Sequence, residues 1–247
     1  MMFFRKKKNV SGDNTTPLVP SEVREKVRHI AFIMDGNRRY AKKRGLPAAY
    51  GHSEGAKNFT RIAEHCRDIG IDTVTVYAFS TENWNRSDDE VSALMNIFTE
   101  YMEKAKNTCH EKKIKLVFLG DKKAYPAAMR EKAEMLEKET ADYPLTLNIA
   151  LNYGGRDEIV NAVNRLMEEG KTHIDKDDIS SHLYTKDSPD PDIVVRTGGE
   201  YRISNFLLWQ SAYAEYFFTE TLWPELTGEE VDGIVRAFMK RDRRYGH

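Results

Sequence analysis

A carboxylate, a glycine, an amide and two guanidiniums follow one another directly after an apolar run, in the segment Asp35, Gly36, Asn37, Arg38 and Arg39. The apolar run is typical of a buried strand, and neither a strand nor the turn after it needs a carboxylate beside two arginines. A magnesium ion next to a phosphorylated ligand would use both charges, because the ion binds carboxylates and bridges phosphate oxygens. The alternative is an ordinary turn followed by a solvated basic helix.

The residues after this carboxylate predict a phosphate-binding helix start. Asn37 is a favourable N-cap, and a helix beginning at Arg38 would direct free backbone amides and its positive dipole end at an anion. Arg86, Arg196 and Arg202 add guanidiniums that are able to hold phosphate oxygens in a bidentate fork. Few carboxylates are near these arginines in the sequence, so we expect two bound diphosphates rather than a network of ion pairs.

Glu215 is a lone acid in the apolar and aromatic segment from Ser211 to Phe218. Burying a carboxylate without a partner is costly. We therefore predict that Glu215 and Asp35 are the two carboxylates of a metal site. A hydrogen-bonded acid at a subunit interface is the alternative.

Strands and helices alternate along the chain. Apolar runs predict strands from His29 to Met34, Thr73 to Phe79, Ile114 to Leu119, Leu145 to Leu151 and Ile193 to Val195. Helical patterns extend from Ser53 to Ile69, from a capping box of Ser87 and Glu90 onwards, from about Pro126 to Glu139, from Asp157 to Glu169, from Asp178 to Tyr184, and after a capping box of Thr227 and Glu230. This order predicts a single α/β domain with a mainly parallel, twisted β-sheet flanked by helices.

Polar clusters follow four of the predicted strands. They occupy residues 35–39, 80–86, 152–156 and 196–202. The carboxyl ends of parallel strands meet at one edge of a sheet, where open α/β sheets bind ligands. One such cluster would be a loop, whereas the four together predict a single site.

The composition limits what the chain binds. Its 247 residues carry 38 basic and 39 acidic side chains, so the overall charge gives no attraction for nucleic acid and any anion site must be local. Two cysteines without metal or disulfide spacing fit a reducing cytoplasm. No apolar run is long enough to span a membrane.

Residues 1–20 are predicted to be a flexible tail before a catalytic domain at 21–247. Within this tail, Phe3, Phe4 and the basic residues after them could touch an anionic membrane peripherally.

Several segments resemble the signature motifs of the cis-prenyltransferases, most closely those of the bacterial members. They are Met34 to Lys43, Gly51 with His52, Phe79 to Arg86, Asn152 to Arg156, and Arg196 to Gln210. The match extends from about His29 to the C-terminus. Several long motifs in the family's order make the resemblance far more specific than a lone glycine loop.

The resemblance implies Mg²⁺-dependent condensation of isopentenyl diphosphate units onto farnesyl diphosphate, each creating a cis double bond. The implied product is a long-chain Z-polyprenyl diphosphate, with undecaprenyl diphosphate, the lipid carrier of cell-wall synthesis, as the expected one. Family members are usually homodimers, in which Arg244 and Gly246 would complete the partner's site.

The motifs also imply roles for individual residues. Asp35 and Asn83 would be catalytic, and Asp35 with Glu215 would hold Mg²⁺. Arg39 and its neighbours would bind the allylic diphosphate, and Arg196 the isopentenyl diphosphate. The full substrate-binding set is Gly36, Asn37, Arg38, Arg39, Tyr40, His52, Ser80, Thr81, Glu82, Trp84, Arg86, Arg196, Arg202, Ile203 and Ser204. For Trp84 a loop anchor and for His52 a cap-region histidine are the structural alternatives.

A growing polyprenyl chain needs a hydrophobic tunnel between the sheet and the helices. The long helix after Ser87 has an apolar stripe that could line it, consisting of Val91, Leu94, Met95, Phe98, Tyr101 and Met102. Ordinary core packing explains the same spacing, and the pattern alone favours it.

Three positions depart from the bacterial pattern. Arg38 and Tyr40 stand where glycine and tryptophan are usual, and Ala48 replaces a common diphosphate-binding arginine, so that Arg38 or Arg44 would have to supply the missing charge.

Two other functions are alternatives to a prenyltransferase. An aspartate-dependent phosphatase or phosphotransferase would need an acid at Asn37, and a non-catalytic subunit of a heteromeric prenyltransferase would not need to keep Asp35.

Overall fold

The computed structural model describes residues 17–241, and over this range the chain folds into one α/β domain. The strands are β1 His29–Ile33, β2 Thr73–Ser80, β3 Ile114–Leu119, β4 Leu145–Tyr153, β5 Ile193–Arg196 and β6 Glu215–Phe218. The helices are α1 Pro20–Lys26, α2 Asn37–Lys42, α3 Ala48–Asp68, α4 Asp88–Lys112, α5 Ala127–Thr140, α6 Gly155–Glu168, α7 Lys176–His182 and α8 Gly228–Met239.

The six strands form one sheet in the order β3-β4-β2-β1-β5-β6, and every pairing is parallel. This confirms the predicted fold class. The connection after β1 leads to β2 on one side, whereas the connection after β5 leads to β6 on the other side. The gap between the ends of β1 and β5 is therefore the switch point at which open α/β sheets form their ligand crevice.

Both faces of the sheet are covered, which explains why the strands are continuous apolar runs rather than alternating ones. On β1, Ile30 and Phe32 pack into one hydrophobic core, while Ala31 and Ile33 pack into a second core on the opposite face. The first core includes residues of α3, α4, α5 and α8. Because the sheet is held from both sides, it provides a rigid base for the loops at its carboxyl edge.

Several predicted boundaries were wrong. Strand β6 was not predicted, because Glu215 at its start suggested a metal ligand in an aromatic segment rather than a strand. Helix α3 begins at Ala48 rather than at the predicted Ser53. Helix α2 begins at Asn37, so Gly36 takes the N-cap position with a φ of 109° and the predicted Asn37 cap is not formed. The capping box of Thr227 is confirmed.

Phe3, Phe4, Arg244 and Gly246, for which membrane contact and completion of the partner's site are predicted, lie outside the described residues. Within residues 17–241, none of the helices combines the length and the apolar character that a membrane crossing requires.

Burial of His29 in this sheet predicts a loss of stability in acid. The ring nitrogens of His29 lie 2.6 Å from the Pro189 carbonyl oxygen and 2.7 Å from Thr75 Oγ1, and burial lowers the pKa of the imidazole to about 4. The unfolded chain takes up this proton near pH 6.5, so the free energy of unfolding should fall by about 3 kcal/mol as the pH drops from 6.5 towards 4. Urea unfolding at several pH values measures this fall, which His29→Gln should reduce. An equal fall in the variant would contradict the assignment.

Candidate active site

The four polar clusters predicted from the sequence lie together at the carboxyl edge of the sheet. Trp84 Nε1 donates a 2.8 Å hydrogen bond to Asn152 Oδ1 and so connects the loops after β2 and β4. Asn205 Nδ2 donates a 3.0 Å bond to Glu82 Oε1, which joins the segment after β5 to the loop after β2. The carboxyl ends of the central strands therefore share one continuous polar surface.

Asp35 lies at the switch point and bridges two arginines. Its Oδ2 accepts a 2.9 Å hydrogen bond from Arg196 Nη2, and its Oδ1 accepts one of 3.1 Å from Arg39 Nη2. Partial burial raises the pKa of this carboxyl, but the hydrogen bonds and charges of Arg196 and Arg39 outweigh that effect, and the net pKa is lowered. Asp35 is therefore an anion at neutral pH.

Arg196 is buried and holds the loop that follows β5. Its Nη1 donates to the Arg202 carbonyl oxygen at 2.6 Å and to Ser204 Oγ at 2.7 Å. Ser204 and Asn205 both have positive φ values, so this loop has a constrained backbone. Ile203, directly before Ser204, packs against the second hydrophobic core. One guanidinium thus fixes Asp35 and the predicted substrate-binding loop to each other.

Glycine at position 198 is required by both backbone and space. Gly198 has a φ of 85°, and a Cβ atom there would collide with the guanidinium of Arg39. Arg39 also donates a hydrogen bond to the Gly198 carbonyl oxygen. Gly198 therefore lets the β5 loop approach the start of α2 closely.

A second cluster of charges gathers around Glu90 on α4. Glu90 Oε1 lies 2.9 Å from Arg86 Nη1, 3.4 Å from His52 Nε2 and 3.8 Å from Arg38 Nε. Burial and the charges of Arg86 and Arg38 lower the pKa of His52, although Glu90 acts in the opposite direction. We call these four residues the Glu90 cluster. It brings together three predicted substrate-binding residues from three different parts of the chain.

The expectation that few carboxylates would face the arginines was wrong. Asp35 pairs with Arg39 and Arg196, and Glu90 pairs with Arg86 and Arg38. The remaining arginine of the site, Arg202, pairs with Glu200 at 2.5 Å. The capping box of Ser87 and Glu90 was also wrong, because the Ser87 side chain makes no capping hydrogen bond and the Glu90 carboxylate binds the cations instead.

Asn37 presents an unusual polar atom at the start of α2. Its Nδ2 donates to the Met34 carbonyl oxygen at 3.2 Å, while its Oδ1 is buried without a hydrogen-bond partner among the described residues. Gly36 directly before it leaves no room for a side chain, because a Cβ atom would lie about 3.0 Å from Leu222. This tight helix start fits backbone recognition of a ligand.

Tyr40 belongs to a separate group of contacts. The guanidinium of Arg44 lies 3.6 Å from the centroid of the Tyr40 ring, and Arg44 also pairs with Glu225 at 3.2 Å. The two candidates for the charge missing at Ala48 are therefore placed differently. Arg38 belongs to the Glu90 cluster, whereas Arg44 is held by Tyr40 and Glu225.

A short 3₁₀ helix, Thr81–Asn85, carries the predicted catalytic amide. Asn83 Oδ1 accepts a 3.1 Å hydrogen bond from the Ser80 amide, and the Ser80 side chain caps the same turn. Thr81 Oγ1 donates to Asp157 Oδ2 at 3.3 Å. Trp84 is 40% exposed and packs edge-on against Phe79, so it anchors the loop, and its contact with a ligand stays a prediction. The catalytic role of Asn83 stays a prediction.

The structure does not bring Glu215 to Asp35 within the described chain. Glu215 pairs in register with Ile193 at the start of β5, which in turn is aligned with Ile30 of β1, and its carboxylate pairs with Arg241. Asp35 lies five residues beyond Ile30, roughly 16 Å along the strand direction. The predicted pair of metal carboxylates is therefore not assembled in one subunit.

The donor set decides what kind of metal site Asp35 fits. Residues 17–241 contain no group of three or more histidine, cysteine, aspartate or glutamate side chains that could hold an ion. Mg²⁺ is commonly bound by one or two carboxylates together with substrate phosphates and waters. An ionised Asp35 in a site rich in guanidiniums fits an ion that arrives with a phosphorylated ligand, and does not fit a resident metal centre.

An apolar cavity of about 370 Å³ lies between the sheet and helices α3 and α4. Its lining includes Ala78 of β2, Phe59 of α3 and Leu94 of α4. Asn37 and His52 of the polar site also line it. The cavity lies where the hydrophobic tunnel was predicted, between the sheet and the helices, and its use by a growing chain stays a prediction. In the helical stripe, Leu94, Phe98, Tyr101 and Met102 face the cavity, whereas Val91 and Met95 pack against the core.

Comparisons with known proteins show similarity in both sequence and fold. A family model described as a putative undecaprenyl diphosphate synthase matches residues 33–246. The chain is 50% identical over 220 residues to an isoprenyl transferase of Fusobacterium nucleatum, covering 89% of this chain and 95% of the relative. It is 42% identical over 239 residues to the ditrans,polycis-undecaprenyl-diphosphate synthase, farnesyl-diphosphate specific, of Escherichia coli, covering 94% of each. Lavandulyl diphosphate synthase from Lavandula x intermedia, solved with dimethylallyl diphosphate, superposes with a TM-score of 0.86 and 31% identity over 92% of this chain and all of that one.

Proposed function

The chain belongs to the undecaprenyl diphosphate synthase family of prenyltransferases, and from this premise we propose that it extends farnesyl diphosphate with isopentenyl diphosphate units to undecaprenyl diphosphate, with Mg²⁺ as cofactor. Farnesyl diphosphate is the substrate named for the Escherichia coli relative. The observation that carries the proposal is the pairing of two cation clusters with an apolar cavity that shares residues with the polar site. Removal of phosphate does not by itself require such a cavity, whereas a growing isoprenoid chain does.

In this function the protein acts mainly by holding charge. Arg39 and the first amides of α2 would bind the allylic diphosphate and stabilise the charge that builds on it as its C–O bond breaks. The diphosphate of isopentenyl diphosphate would be held by Arg196, Arg202 and Ser204, so that the double bond of this substrate faces the allylic carbon. Asn83 would orient this acceptor, since a neutral amide is a poor base, and a diphosphate oxygen would receive the proton that is lost. Mg²⁺, when bound at Asp35, would neutralise diphosphate oxygens.

A homodimer is part of the proposal. Strand β6 is the edge of the described sheet, and an exposed edge is available for pairing or covering. On this strand Tyr216 packs on Phe218, and Tyr201 of the preceding loop packs on the same ring; the two tyrosines are 37% and 60% exposed. Such an aromatic surface is typical of a subunit interface.

One assay tests the reaction itself. Purified protein is incubated with farnesyl diphosphate, labelled isopentenyl diphosphate and Mg²⁺, and the extracted lipid is sized. The proposal expects a long polyprenyl product that requires both substrates. Release of phosphate from farnesyl diphosphate alone, without label in the lipid, would favour the phosphatase alternative. Absence of both activities would favour the non-catalytic subunit.

The cavity predicts how product length is controlled. Leu94→Trp or Ala78→Leu fills space that both residues line, so the growing chain should meet an obstacle earlier and the product should become shorter. Ser92→Trp, at an exposed position on the same helix, is the matched control and should leave the product unchanged. Chromatography of the dephosphorylated lipids measures the length. Unaltered products in both cavity variants would show that the chain grows elsewhere.

The placement of Arg38 and Arg44 predicts which of them replaces the arginine missing at Ala48. Arg38→Ala should raise the KM for farnesyl diphosphate about tenfold, because Arg38 lies in the Glu90 cluster with His52. Arg44→Ala should leave that KM nearly unchanged, because Arg44 is held by Glu225 and the Tyr40 ring. Initial rates at varied farnesyl diphosphate decide the matter. The reverse order of effects would reassign the role to Arg44.

A further inference from the structure

Glu90 stands outside the motif segments, and its spacing to Ser87 predicted only a helix cap that does not form. It is nevertheless the point at which three elements meet: α2 through Arg38, α3 through His52, and the loop after β2 through Arg86. The side chain of Glu90 is only 13% exposed. The carboxylate interacts strongly with Arg86, 2.9 Å away, because little solvent screens that pair, and more weakly with Arg38, which is mostly exposed and 3.8 Å away.

The charges of the cluster do not balance. Two guanidiniums face a single carboxylate, so an excess of one positive charge remains when His52 is neutral. Among the contacts of the described residues, Glu90 takes one N–H group of Arg86, and each guanidinium carries five donors. The cluster is therefore organised by Glu90 while donors remain for a further anion.

The Glu90 cluster lies directly against the apolar cavity, because His52 belongs to both. A ligand whose isoprenoid tail enters the cavity would bring its anionic head towards these donors. Without Glu90, the two guanidiniums would repel each other, and their long side chains would lose their common orientation.

We propose that Glu90 is a positioning residue that orders Arg86, His52 and Arg38 as a preformed subsite for the diphosphate of the allylic substrate. This rests on the proposed function, since it assigns the substrate of the same site. Glu90 itself does not touch the reacting atoms. Its contribution is made before binding, by fixing three side chains that would otherwise be ordered by the ligand at a cost in affinity.

The test compares Glu90→Gln and Glu90→Asp with Glu100→Gln. Glutamine keeps the size and one acceptor oxygen but loses the charge, while aspartate keeps the charge on a shorter side chain. Glu100, on the same helix, pairs with Lys104 four residues later in an exposed position and is the matched control. For each variant the KM of both substrates, the turnover at saturation and the melting temperature are measured, and the affinity for farnesyl diphosphate alone is measured by calorimetry.

Glu90→Gln is expected to raise the KM for farnesyl diphosphate and its dissociation constant about tenfold. The KM for isopentenyl diphosphate and the turnover should change little, Glu90→Asp should recover part of the affinity, and Glu100→Gln should behave as the parent protein. Equal effects on both substrates with an equal loss of melting temperature would overturn the proposal, because Glu90 would then only support the fold. Tighter binding in Glu90→Gln would also overturn it, because the carboxylate would then compete with the ligand.

The calorimetric arm separates this proposal from the proposed function. If the parent protein binds farnesyl diphosphate but forms no polyprenyl product, the proposed reaction fails, and the comparison of dissociation constants still decides the role of Glu90. If the parent protein forms product and Glu90→Gln binds farnesyl diphosphate as tightly as the parent does, only the role of Glu90 fails.

Discussion

Asp35→Asn should lower the turnover number about a thousandfold while the protein remains folded. The amide keeps the size of the side chain but removes the negative charge that lies between Arg39 and Arg196. Two guanidiniums would then face each other across a neutral group, and the proposed Mg²⁺ site at this position would lose its carboxylate. Both effects act at the place where the leaving diphosphate gains charge, so the chemical step should suffer more than substrate binding.

Single-turnover rates with farnesyl diphosphate bound in advance measure this step directly. The control is Asp72→Asn, which removes an aspartate from an exposed ion pair with Arg24 and should leave the rate unchanged. Raising the Mg²⁺ concentration should not restore Asp35→Asn. A variant that retains a substantial fraction of the parent rate would remove Asp35 from the catalytic machinery.

Arg196→Lys should lower kcat/KM for isopentenyl diphosphate about a hundredfold, because one ammonium group cannot reproduce three directed hydrogen bonds. The guanidinium binds Asp35, the Arg202 carbonyl oxygen and Ser204 Oγ at the same time. The Arg196 side chain is only 5% exposed. The hydrogen-bond acceptors that lose the guanidinium are therefore left partly unsatisfied where little water can replace it. We also expect the free energy of unfolding to fall by about 3 kcal/mol.

Steady-state kinetics with each substrate varied in turn, together with urea unfolding, separate the two effects. Arg24→Lys changes an exposed arginine that pairs with Asp72 and serves as the control. In Arg196→Lys the KM for isopentenyl diphosphate should increase by a much larger factor than the KM for farnesyl diphosphate. Equal increases in both, or normal kinetics in a destabilised protein, would mean that Arg196 supports the fold without holding the second diphosphate.

The strands were predicted well because burial on both faces leaves a direct record in the sequence, a continuous apolar run that ends at a polar loop. Ile30 to Ile33 shows why, since successive side chains enter different cores and each must be apolar. Strand β6 lacked this record. Its edge position leaves Tyr216 partly exposed, and the acid at its start suggested a metal ligand instead.

Long-range ion pairs were the part that the sequence could not supply. Glu90 is far from Arg38 and His52 along the chain, and its spacing to Ser87 fitted a helix cap equally well. Its only local signal was Arg86 four residues earlier, which is a common helical pair. Likewise the register that separates Glu215 from Asp35 depends on which strands are neighbours, and composition does not reveal this.

The arginines of this site form ion pairs with carboxylates in the absence of ligand, and these ion pairs affect which anions the site selects. A small anion such as orthophosphate would find only the donors that these pairs leave free and would lose its own hydration in reaching them, so its net gain is slight. A molecule that also buries an apolar tail between β2 and α4 gains the additional binding free energy of the hydrophobic effect. We therefore expect the protein to bind diphosphates with an apolar tail in preference to the inorganic phosphates of a cell.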